Sequence, residues 1–218
     1  MFTGLIEATG RITAIQQHGQ GVRVRVESQQ LDWHDVKIGD SIAVNGVCLT
    51  AVVLHPQGME VDVSSETLDC TLFGTYAPGQ MVNLEKALLP TTRLGGHFVT
   101  GHVDGVGTVE RIEQSEEDWQ LYVTPPKNLV RYIAPKGSIT IDGTSLTVNA
   151  WHGQAFRLTI IPHTRASTII GTYRTGQRVH IEVDIIARYL EQLVRPPSED
   201  TMSAEKLRLW GYEDIRRT

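Results

Sequence analysis

The chain has little from which a disulfide framework, a membrane span or a nucleic-acid surface could be built. It contains only two cysteines in 218 residues, Cys48 and Cys70, and they form no CxxC pair, so we expect free thiols in a reducing compartment. The formal net charge is -5, and no basic run would attract nucleic acid or anionic lipid. Neither a long apolar stretch nor a signal-peptide pattern is found. We therefore expect a cytoplasmic protein whose partner is a small molecule or another protein, with no nucleic acid and no membrane.

Motifs for cofactors and metals are also missing. Gly10, Gly19 and Gly21 belong to no phosphate-binding pattern, neither GxxxxGK[ST] nor GxGxxG before a helix. His97 and His102 stand five residues apart in GGHFVTGH, which on a strand puts them on opposite faces and gives poor metal-ligand spacing. We expect no cofactor and no metal.

An internal repeat organises the chain. Shifting the sequence over itself by 97 residues aligns GTYAPGQMVNLE (74–85) with GTYRTGQRVHIE (171–182) without a gap. A copy of this length is close to the size that buries its own core, so the period indicates a duplicated domain rather than a solenoid. We predict two domains of one fold, residues 1–97 and 98–187.

Both copies have the pattern of an all-β fold. Gly, Pro and Asn turn signals separate short β-favouring runs. These runs include VRVRVE (22–27), MEVDVS (59–64) and MVNLEKAL (81–88). Asn45-Gly46 and Asp142-Gly143 each lie between apolar runs, which predicts hairpins with type I′ turns. About six strands per copy, with a few short helical pieces, predict two small β-barrels.

The end of the chain differs in kind. The stretch 184–195 places five apolar residues on one helical face: Ile185, Ile186, Tyr189, Leu190 and Leu193. Pro196-Pro197 ends this predicted helix, and residues 204–212 predict a second short one. Because two complete barrels leave such a helix no core to cover, we assign residues 188–218, the C-terminal α-helix and tail, to oligomerisation.

The two predicted hairpins differ at one chemically important position. On a strand, side chains two apart share a face, so Cys48 and Thr50 point together, as do Ser145 and Thr147. The alternative is that all four are ordinary barrel residues. However, the leucine between the two polar residues is the same in both copies, which indicates one face kept for packing and one face that carries different chemistry.

Other unlike positions surround the hairpins. His102 stands where the first copy has Leu5, and a histidine is a natural proton carrier near neutral pH. Lys136 stands where the first copy has Gly39; it is either an exposed strand-edge lysine or a ligand contact.

Two residue pairs on short helices and the second cysteine also have structural explanations. Glu66-Thr67 matches His163-Thr164, and either pair can simply cap a short helix. Cys70 has no polar companion in the sequence, so we predict that it is buried in a core.

Together these stretches resemble riboflavin synthase, the α-chain family of tandem lumazine-binding barrels. The resemblance spans residues 1 to about 187. The stretches that carry it are MFTGLIE (1–7), VNGVCLT (44–50), SSETL (64–68), GGHFVTGHVDG (95–105), IDGTSLTV (141–148) and IIPHT (160–164).

The resemblance implies a dismutation of two 6,7-dimethyl-8-ribityllumazine molecules, without cofactor or metal. A four-carbon unit passes from one molecule to the other, giving riboflavin and 5-amino-6-(D-ribitylamino)uracil. The resemblance also implies a homotrimer held by C-terminal helices, with each site closed by a neighbouring subunit, and association with lumazine synthase is a further expectation. The implied substrate-binding residues are Gly4, Leu5, Ile6, Cys48, Leu49, Thr50, Asp62, Val63, Ser64, Ser65, Glu66, Thr67, Gly101, His102, Val103, Lys136, Ser145, Leu146, Thr147, Ile161, Pro162, His163, Thr164, Arg165 and Ala166.

Catalytic roles follow from this reaction as hypotheses. A ring methyl must lose a proton before the resulting carbanion attacks the second ring. We expect His102, with Thr147 or Ser145, to relay the proton, and Cys48 to contact or add to the acceptor ring. Because the substrate is itself an electron sink, we expect positioning to contribute more than acid–base help.

Three rival functions explain the sequence less completely. A non-catalytic lumazine- or flavin-binding antenna protein shares the fold, but it needs only one good site, whereas both copies carry polar residues here. A flavin reductase needs a Gly-rich βαβ unit that the chain lacks. A purely structural trimer explains the duplication and the helix but not the unlike polar pairs.

Overall fold

A computed structural model describes residues 1–194 and Leu209. Twelve strands in this part of the chain form two closed, antiparallel six-stranded barrels. A helix follows the second barrel, so the prediction of an all-β fold with two tandem barrels and a C-terminal α-helix is confirmed. The predicted helix at 204–212 lies outside the described residues, apart from Leu209.

The first barrel closes because its last strand pairs with its first. Its strands are β1 (Ala8–His18), β2 (Gly21–Glu27), β3 (Ser41–Val44), β4 (Val47–His55), β5 (Gly58–Val63) and β6 (Met81–Lys86). Around the barrel they follow the order β1-β2-β5-β4-β3-β6. The pairing register of β1 with β2 shifts between Ile12 and Ala14, and a bulge of this kind supplies the bend that closure needs.

The second barrel repeats this design. Its strands are β7 (Gly105–Gln114), β8 (Trp119–Thr124), β9 (Ser138–Ile141), β10 (Thr144–His152), β11 (Ala155–Ile160) and β12 (Arg178–Val183). They pair in the same cyclic order as their counterparts. From β3 onward, each strand of the first barrel begins and ends 97 residues before its counterpart, as Ser41 and Ser138 illustrate.

Alternating side chains explain why these segments are strands. In β2, Val24 and Val26 are fully buried, while Arg23 and Arg25, which alternate with them, point outward. Each barrel has a separate apolar core of this kind, with Ile12 and Leu84 in the first and Ile141 and Leu158 in the second.

Short helices connect the fifth and sixth strands of each barrel. These are α1 (Ser65–Cys70) and α2 (Pro162–Ser167), each followed by a 3-10 helix, at Leu72–Thr75 and at Ile169–Thr172. A further 3-10 helix, Lys127–Tyr132, lies between β8 and β9. Ser64 caps α1 by accepting a hydrogen bond from the Thr67 backbone N–H at 3.2 Å, whereas Glu66 and Thr67 lie inside the helix. Helix α2 has no side-chain cap, so the prediction that Glu66-Thr67 or His163-Thr164 caps a helix is wrong.

The prediction for Cys70 is wrong, because its thiol is exposed on α1 and donates to Glu66 Oε1 at 3.3 Å. An α1 of six residues lies on the surface with no buried side chain, so it offers the thiol no core.

The C-terminal helix, α3, spans Ile185–Val194 and confirms the predicted amphipathic segment. Its apolar face leaves Ile186, Tyr189, Leu190 and Leu193 more than half exposed in the single chain. Among the described residues, no helix has the length and apolarity that crossing a membrane requires.

The two hairpin turns meet where the barrels join, inside one unit formed by Met1–Ile185. Asn45 and Gly46 have φ of 47° and 78°, and Asp142 and Gly143 have φ of 43° and 79°, which confirms the predicted type I′ turns. A Cβ atom on Gly46 would lie 2.7 Å from the Gly143 nitrogen, and the reverse contact is the same. Only glycine permits this approach.

A buried hydrogen-bond network surrounds the paired turns, with the same pattern in both copies. In the first copy, Asn45 Oδ1 accepts from the Asn83 N–H at 2.7 Å and Asn45 Nδ2 donates to Tyr76 Oη at 2.8 Å. In the second copy, Asp142 takes the place of Asn45 and accepts from the His180 N–H at 2.8 Å and from the Tyr173 hydroxyl.

Asn83 and His180 then join the barrels to each other. Asn83 Oδ1 accepts from the Ile169 N–H and His180 Nε2 accepts from the Leu72 N–H, both at 2.8 Å. The His180 Nδ1–H donates to the Asn45 carbonyl at 2.8 Å, which leaves the ring neutral with its proton on Nδ1. Burial also lowers the pKa of His180, so the barrel junction is built around an uncharged histidine.

The turn contact predicts a matched pair of glycine substitutions. Gly46→Ala and Gly19→Ala both place a side chain at positive φ, but nothing lies within 4 Å of a Cβ at Gly19. We expect Gly46→Ala to lower the free energy of unfolding by about 2 kcal/mol more than Gly19→Ala, because the added methyl is forced into the other barrel's backbone. Urea denaturation at one protein concentration measures this, and equal losses would contradict the contact.

His180 predicts a pH dependence of stability. Its pKa is lowered in the folded chain, so below about pH 6.5 the unfolded chain binds a proton that the folded chain does not, and stability falls as pH falls. His180→Asn, which copies Asn83, removes this slope. Asp142 and Arg178, the charged groups that act on the ring, are unchanged.

We therefore expect the stability advantage of the unmodified chain over His180→Asn to shrink by about 1 kcal/mol between pH 7 and pH 5.5. Urea unfolding of both proteins at the two pH values measures the difference. Parallel pH dependence in the two proteins would show that His180 is not held neutral.

Candidate functional site

Two chain segments, one containing Thr3 and Gly4 and the other containing Thr100 and Gly101, each contact the barrel of the opposite copy. These crossing segments bring the predicted site residues together. Gly4 O accepts a hydrogen bond from the Ser145 N–H at 2.7 Å, and Gly101 O accepts from the Cys48 N–H at 2.8 Å. Sequence order puts Gly4 and Cys48 in the same copy, yet the structure places Gly4 against the hairpin of the second barrel. Each hairpin therefore meets the segment that the repeat assigns to the opposite copy.

Close backbone contact makes glycine necessary at both crossings. Gly4 has φ of 76° and Gly101 has φ of 79°. A Cβ atom at Gly4 would lie 2.6 Å from Ser145 Cβ, and one at Gly101 would lie 2.6 Å from Cys48 Cβ. The crossings hold both segments within van der Waals distance of the cysteine and the serine that distinguish the copies.

The first cluster of predicted residues lies around Cys48 on β4. Cys48 is half-buried, Leu49 is buried in the first barrel core and Thr50 is exposed, so the predicted shared face of Cys48 and Thr50 is confirmed. Val103 packs against the same core, and His102 is exposed beside it. Because Gly101 bonds to Cys48, the exposed His102 lies next to the Cys48 hairpin.

The stretch Asp62–Thr67 continues from the strand next to this hairpin. β5 pairs with β4, with Val61 opposite Ala51, and α1 follows directly. The Asp62 carboxylate is engaged by Arg23 through two hydrogen bonds of 2.8 Å, and the guanidinium lowers the pKa of Asp62. Asp62 therefore has a protein partner for its charge without any ligand.

The second cluster lies around Ser145 on β10. His97 Nδ1 and Ser145 Oγ are 2.7 Å apart, and the His97 ring is only 8% exposed. Its Nε2 is buried without a hydrogen-bond partner in the described part of the chain, and burial lowers the pKa of His97. The pair is a hydroxyl joined to a neutral imidazole, which is an arrangement that can accept and pass on a proton.

His97, which is not among the predicted site residues, bonds to Ser145, and the relay of a proton by His102 with Thr147 or Ser145 stays a prediction. The structure joins Ser145 to His97, whereas His102 follows Gly101 on the segment that contacts Cys48. Comparison of the repeats gives no signal for His97, because it is the last residue of the predicted first copy and the offset of 97 places its counterpart at Val194, past the second copy. Its place in GGHFVTGH, a stretch already singled out, was the available clue.

The remaining predicted residues of the second copy flank Ser145. β11 pairs with β10, with Leu158 opposite Val148, so Ile161–Ala166 leads away from the strand beside the hairpin. Leu146 packs against the second core, and Thr147 is exposed. The Arg165 guanidinium carbon lies 5.0 Å from the centroid of the Trp119 ring.

Lys136 is exposed as predicted, but it lies in a turn rather than on a strand edge. Its φ of 67° and the hydrogen bond from its N–H to Val148 O at 2.6 Å match Gly39, which has φ of 97° and bonds to Ala51 O. The second copy thus has a lysine at positive φ, where the first copy has glycine. This lysine lies beside the strand that carries Ser145.

Two further features bear on what the sites could hold. A cavity of about 520 Å³ opens on the first barrel near Asp40 and Arg93, but Leu5 is the one predicted substrate-binding residue that borders it. Among the described residues, no group of three or more His, Cys, Asp or Glu side chains is placed to hold a metal ion.

Comparison with known proteins agrees with this duplicated arrangement. A family model described as the lumazine binding domain matches twice, over residues 3–87 and 100–184. The chain is similar to riboflavin synthase of Photobacterium phosphoreum, with 51% identity over 194 residues and 89% of each chain covered. It is 37% identical to riboflavin synthase of Bacillus subtilis (strain 168) over 200 residues, covering 92% of this chain and 93% of the relative.

The chain belongs to the riboflavin synthase family of tandem lumazine-binding proteins.

Solved structures of another member of this fold carry bound ligands. A crystal structure of LumP complexed with 6,7-dimethyl-8-(1'-D-ribityl)lumazine matches with a TM-score of 0.75 and 26% identity, covering 84% of this chain and 99% of LumP. LumP complexed with riboflavin matches with a TM-score of 0.78 over the same shares. This family fold therefore receives both ligands in at least one of its proteins.

Proposed function

We propose that the chain is a riboflavin synthase that acts on 6,7-dimethyl-8-ribityllumazine. Two molecules of this substrate give riboflavin and 5-amino-6-(D-ribitylamino)uracil by transfer of a four-carbon unit, in the last step of riboflavin biosynthesis. The observation that carries the proposal is the pair of matched hairpins, which place Cys48 and Ser145 in the same backbone frame with different neighbours. A reaction between two identical molecules needs two similar sites that treat their occupants differently.

Each proposed site combines a hairpin with the segment that crosses to it. One substrate binds among Cys48–Thr50, Gly101–Val103 and Asp62–Thr67, and the other binds among Ser145–Thr147, Gly4–Ile6 and Ile161–Ala166, with Lys136 on the loop before β9. The backbone hydrogen bonds between Gly4 and Ser145 and between Gly101 and Cys48 support this grouping.

The His97–Ser145 pair is the best-supported candidate for the proton step. A substrate methyl near Ser145 loses its proton to the hydroxyl while the neutral His97 imidazole takes the hydroxyl proton. The negative charge is then on the substrate and the positive charge is on the buried His97 ring. Cys48 contacts or adds to the ring of the other substrate. His102 and Thr147 remain proposed catalytic residues, and both are exposed where a bound ring would lie.

The single chain leaves the sites open, which supports a homotrimer. Leu5, Thr50, His102 and Thr147 are all exposed, whereas ligand sites usually bury most of a ligand's surface. A neighbouring subunit would close each site, and the exposed apolar face of α3 supports assembly through this helix. A cytoplasmic location and association with lumazine synthase stay predictions.

Mixing the purified chain with 6,7-dimethyl-8-ribityllumazine alone tests the proposed reaction. We expect riboflavin absorbance to appear with two substrate molecules lost for each riboflavin formed, because the second substrate is the four-carbon donor. Tight binding without turnover would instead support the second candidate, a non-catalytic binder, which the match to ligand-bound LumP structures favours.

A double-mutant cycle tests the proton pair. We expect Ser145→Ala and His97→Gln each to lower kcat by about tenfold, since general acid–base help is the smaller part of this catalysis. The double variant should lose little more than either single variant, because the two groups act through one hydrogen bond. Multiplied losses would show that they act independently, and a complete loss in Ser145→Ala alone would contradict the dominant role of positioning.

A further inference from the structure

Two buried carboxylates, Glu85 and Glu182, have no part in the reaction proposed above. Glu85 lies on β6 and Glu182 on β12, and they are 4% and 3% exposed. Neither forms an ion pair with a residue that the structure describes. Burying a carboxylate away from water is costly unless strong hydrogen bonds satisfy it, so each of these groups must be held by its contacts.

The contacts of the two carboxylates are the same three hydrogen bonds. Glu182 Oε1 accepts from the Thr100 N–H at 2.6 Å and from the Thr100 hydroxyl at 2.7 Å, and Oε2 accepts from the Gly101 N–H at 3.0 Å. Glu85 accepts from Thr3 and Gly4 in the same way, at 2.7, 2.7 and 3.0 Å. All three donors belong to a crossing segment, and charge-assisted bonds of this kind are strong.

The crossing segments carry this restraint to the opposite barrel. Glu182 belongs to the second barrel, but the Gly101 that it holds accepts the Cys48 N–H in the first barrel. Glu85 belongs to the first barrel, but the Gly4 that it holds accepts the Ser145 N–H in the second. Each hairpin is thus connected through one glycine to a carboxylate of the other barrel.

We propose that Glu182 is the positioning residue for the Cys48 hairpin and Glu85 the positioning residue for the Ser145 hairpin. Each barrel then sets the geometry of the other barrel's site, and the two sites are linked crosswise. The proposal rests on the proposed function in treating the hairpins as catalytic, whereas the contacts that carry it do not depend on turnover.

A glutamine at either position tests the contact with little change in shape. One carboxylate oxygen becomes an NH₂ group, which cannot accept from the crossing segment, so at least one of the three bonds is lost. The segment should then loosen at its glycine, and the hairpin bound to that glycine should become more accessible. The same substitution in the other copy is a matched control, because burial and bonding are equivalent.

Thiol reactivity reports this loosening at Cys48 alone. The chain has two cysteines, so Cys70→Ser leaves Cys48, which is partly exposed, as the single thiol. In this background, we expect Glu182→Gln to raise the rate of Cys48 modification by 5,5′-dithiobis(2-nitrobenzoate) by at least about threefold, because local opening is easier. Glu85→Gln should leave the rate nearly unchanged, although Glu85 is in the same barrel as Cys48.

Equal acceleration in both variants, or a larger effect of Glu85→Gln, would overturn the crosswise assignment. If either glutamine variant fails to fold, Thr100→Val and Thr3→Val replace the pair, since each removes one hydroxyl bond to its carboxylate; a faster rate is then expected in Thr100→Val alone. Labelling needs no substrate, so it separates this proposal from the proposed reaction. The difference in Cys48 labelling rate between the two variants can be present in a chain that binds the lumazine without converting it. It can also be absent in a chain that forms riboflavin.

Discussion

Each crossing segment forms a backbone hydrogen bond with the hairpin of the opposite copy, and these two bonds fix how the hairpins and the segments between the barrels fit together. Gly4 bonds to Ser145 and Gly101 bonds to Cys48, so each hairpin contacts a segment of the opposite copy. The paired turns at Gly46 and Gly143 bring the hairpins close enough for these bonds. A gene duplication alone would give two copies of one site, whereas under the proposed function these bonds give two sites built from both copies.

At the junction, the two copies have matching backbone geometry but different side chains at equivalent positions. Asn83 and His180 form equivalent hydrogen bonds to the opposite barrel. Each side chain donates one bond and accepts one. An amide and a neutral imidazole are interchangeable in this respect, because each offers one donor and one acceptor. Cys48 and Ser145 differ inside the same backbone geometry, and in the proposed function this difference lets similar pockets act differently on identical molecules.

Much of the fold could be predicted from local sequence. Alternation in VRVRVE, the Asn45-Gly46 and Asp142-Gly143 turns and the apolar face of 184–195 each reflect forces that act within a few residues. The repeat then supplied the barrel count. Cys70 was misplaced because a cysteine's burial depends on what packs over its helix, and the sequence of α1 does not show that nothing does.

The grouping of the site could not be read from the sequence. Matching the copies pairs Gly4 with Gly101 and Cys48 with Ser145, but it does not show which segment crosses to which hairpin, since that depends on long-range packing. His97 was missed for the same reason: its contact with Ser145 joins residues 48 positions apart and has no counterpart in the repeat. Glu85 and Glu182 look like ordinary strand residues until their partners are seen.

A crystal structure of the chain with riboflavin bound would show which backbone segments surround each ligand. We expect two ligand positions per chain, one touching Cys48–Thr50 together with Gly101–Val103, the other touching Ser145–Thr147 together with Gly4–Ile6. A ligand held by Cys48 and Gly4 of one chain would show that the crossing segments do not complete the sites, and a ligand at one hairpin only would show that the two hairpins do not both bind.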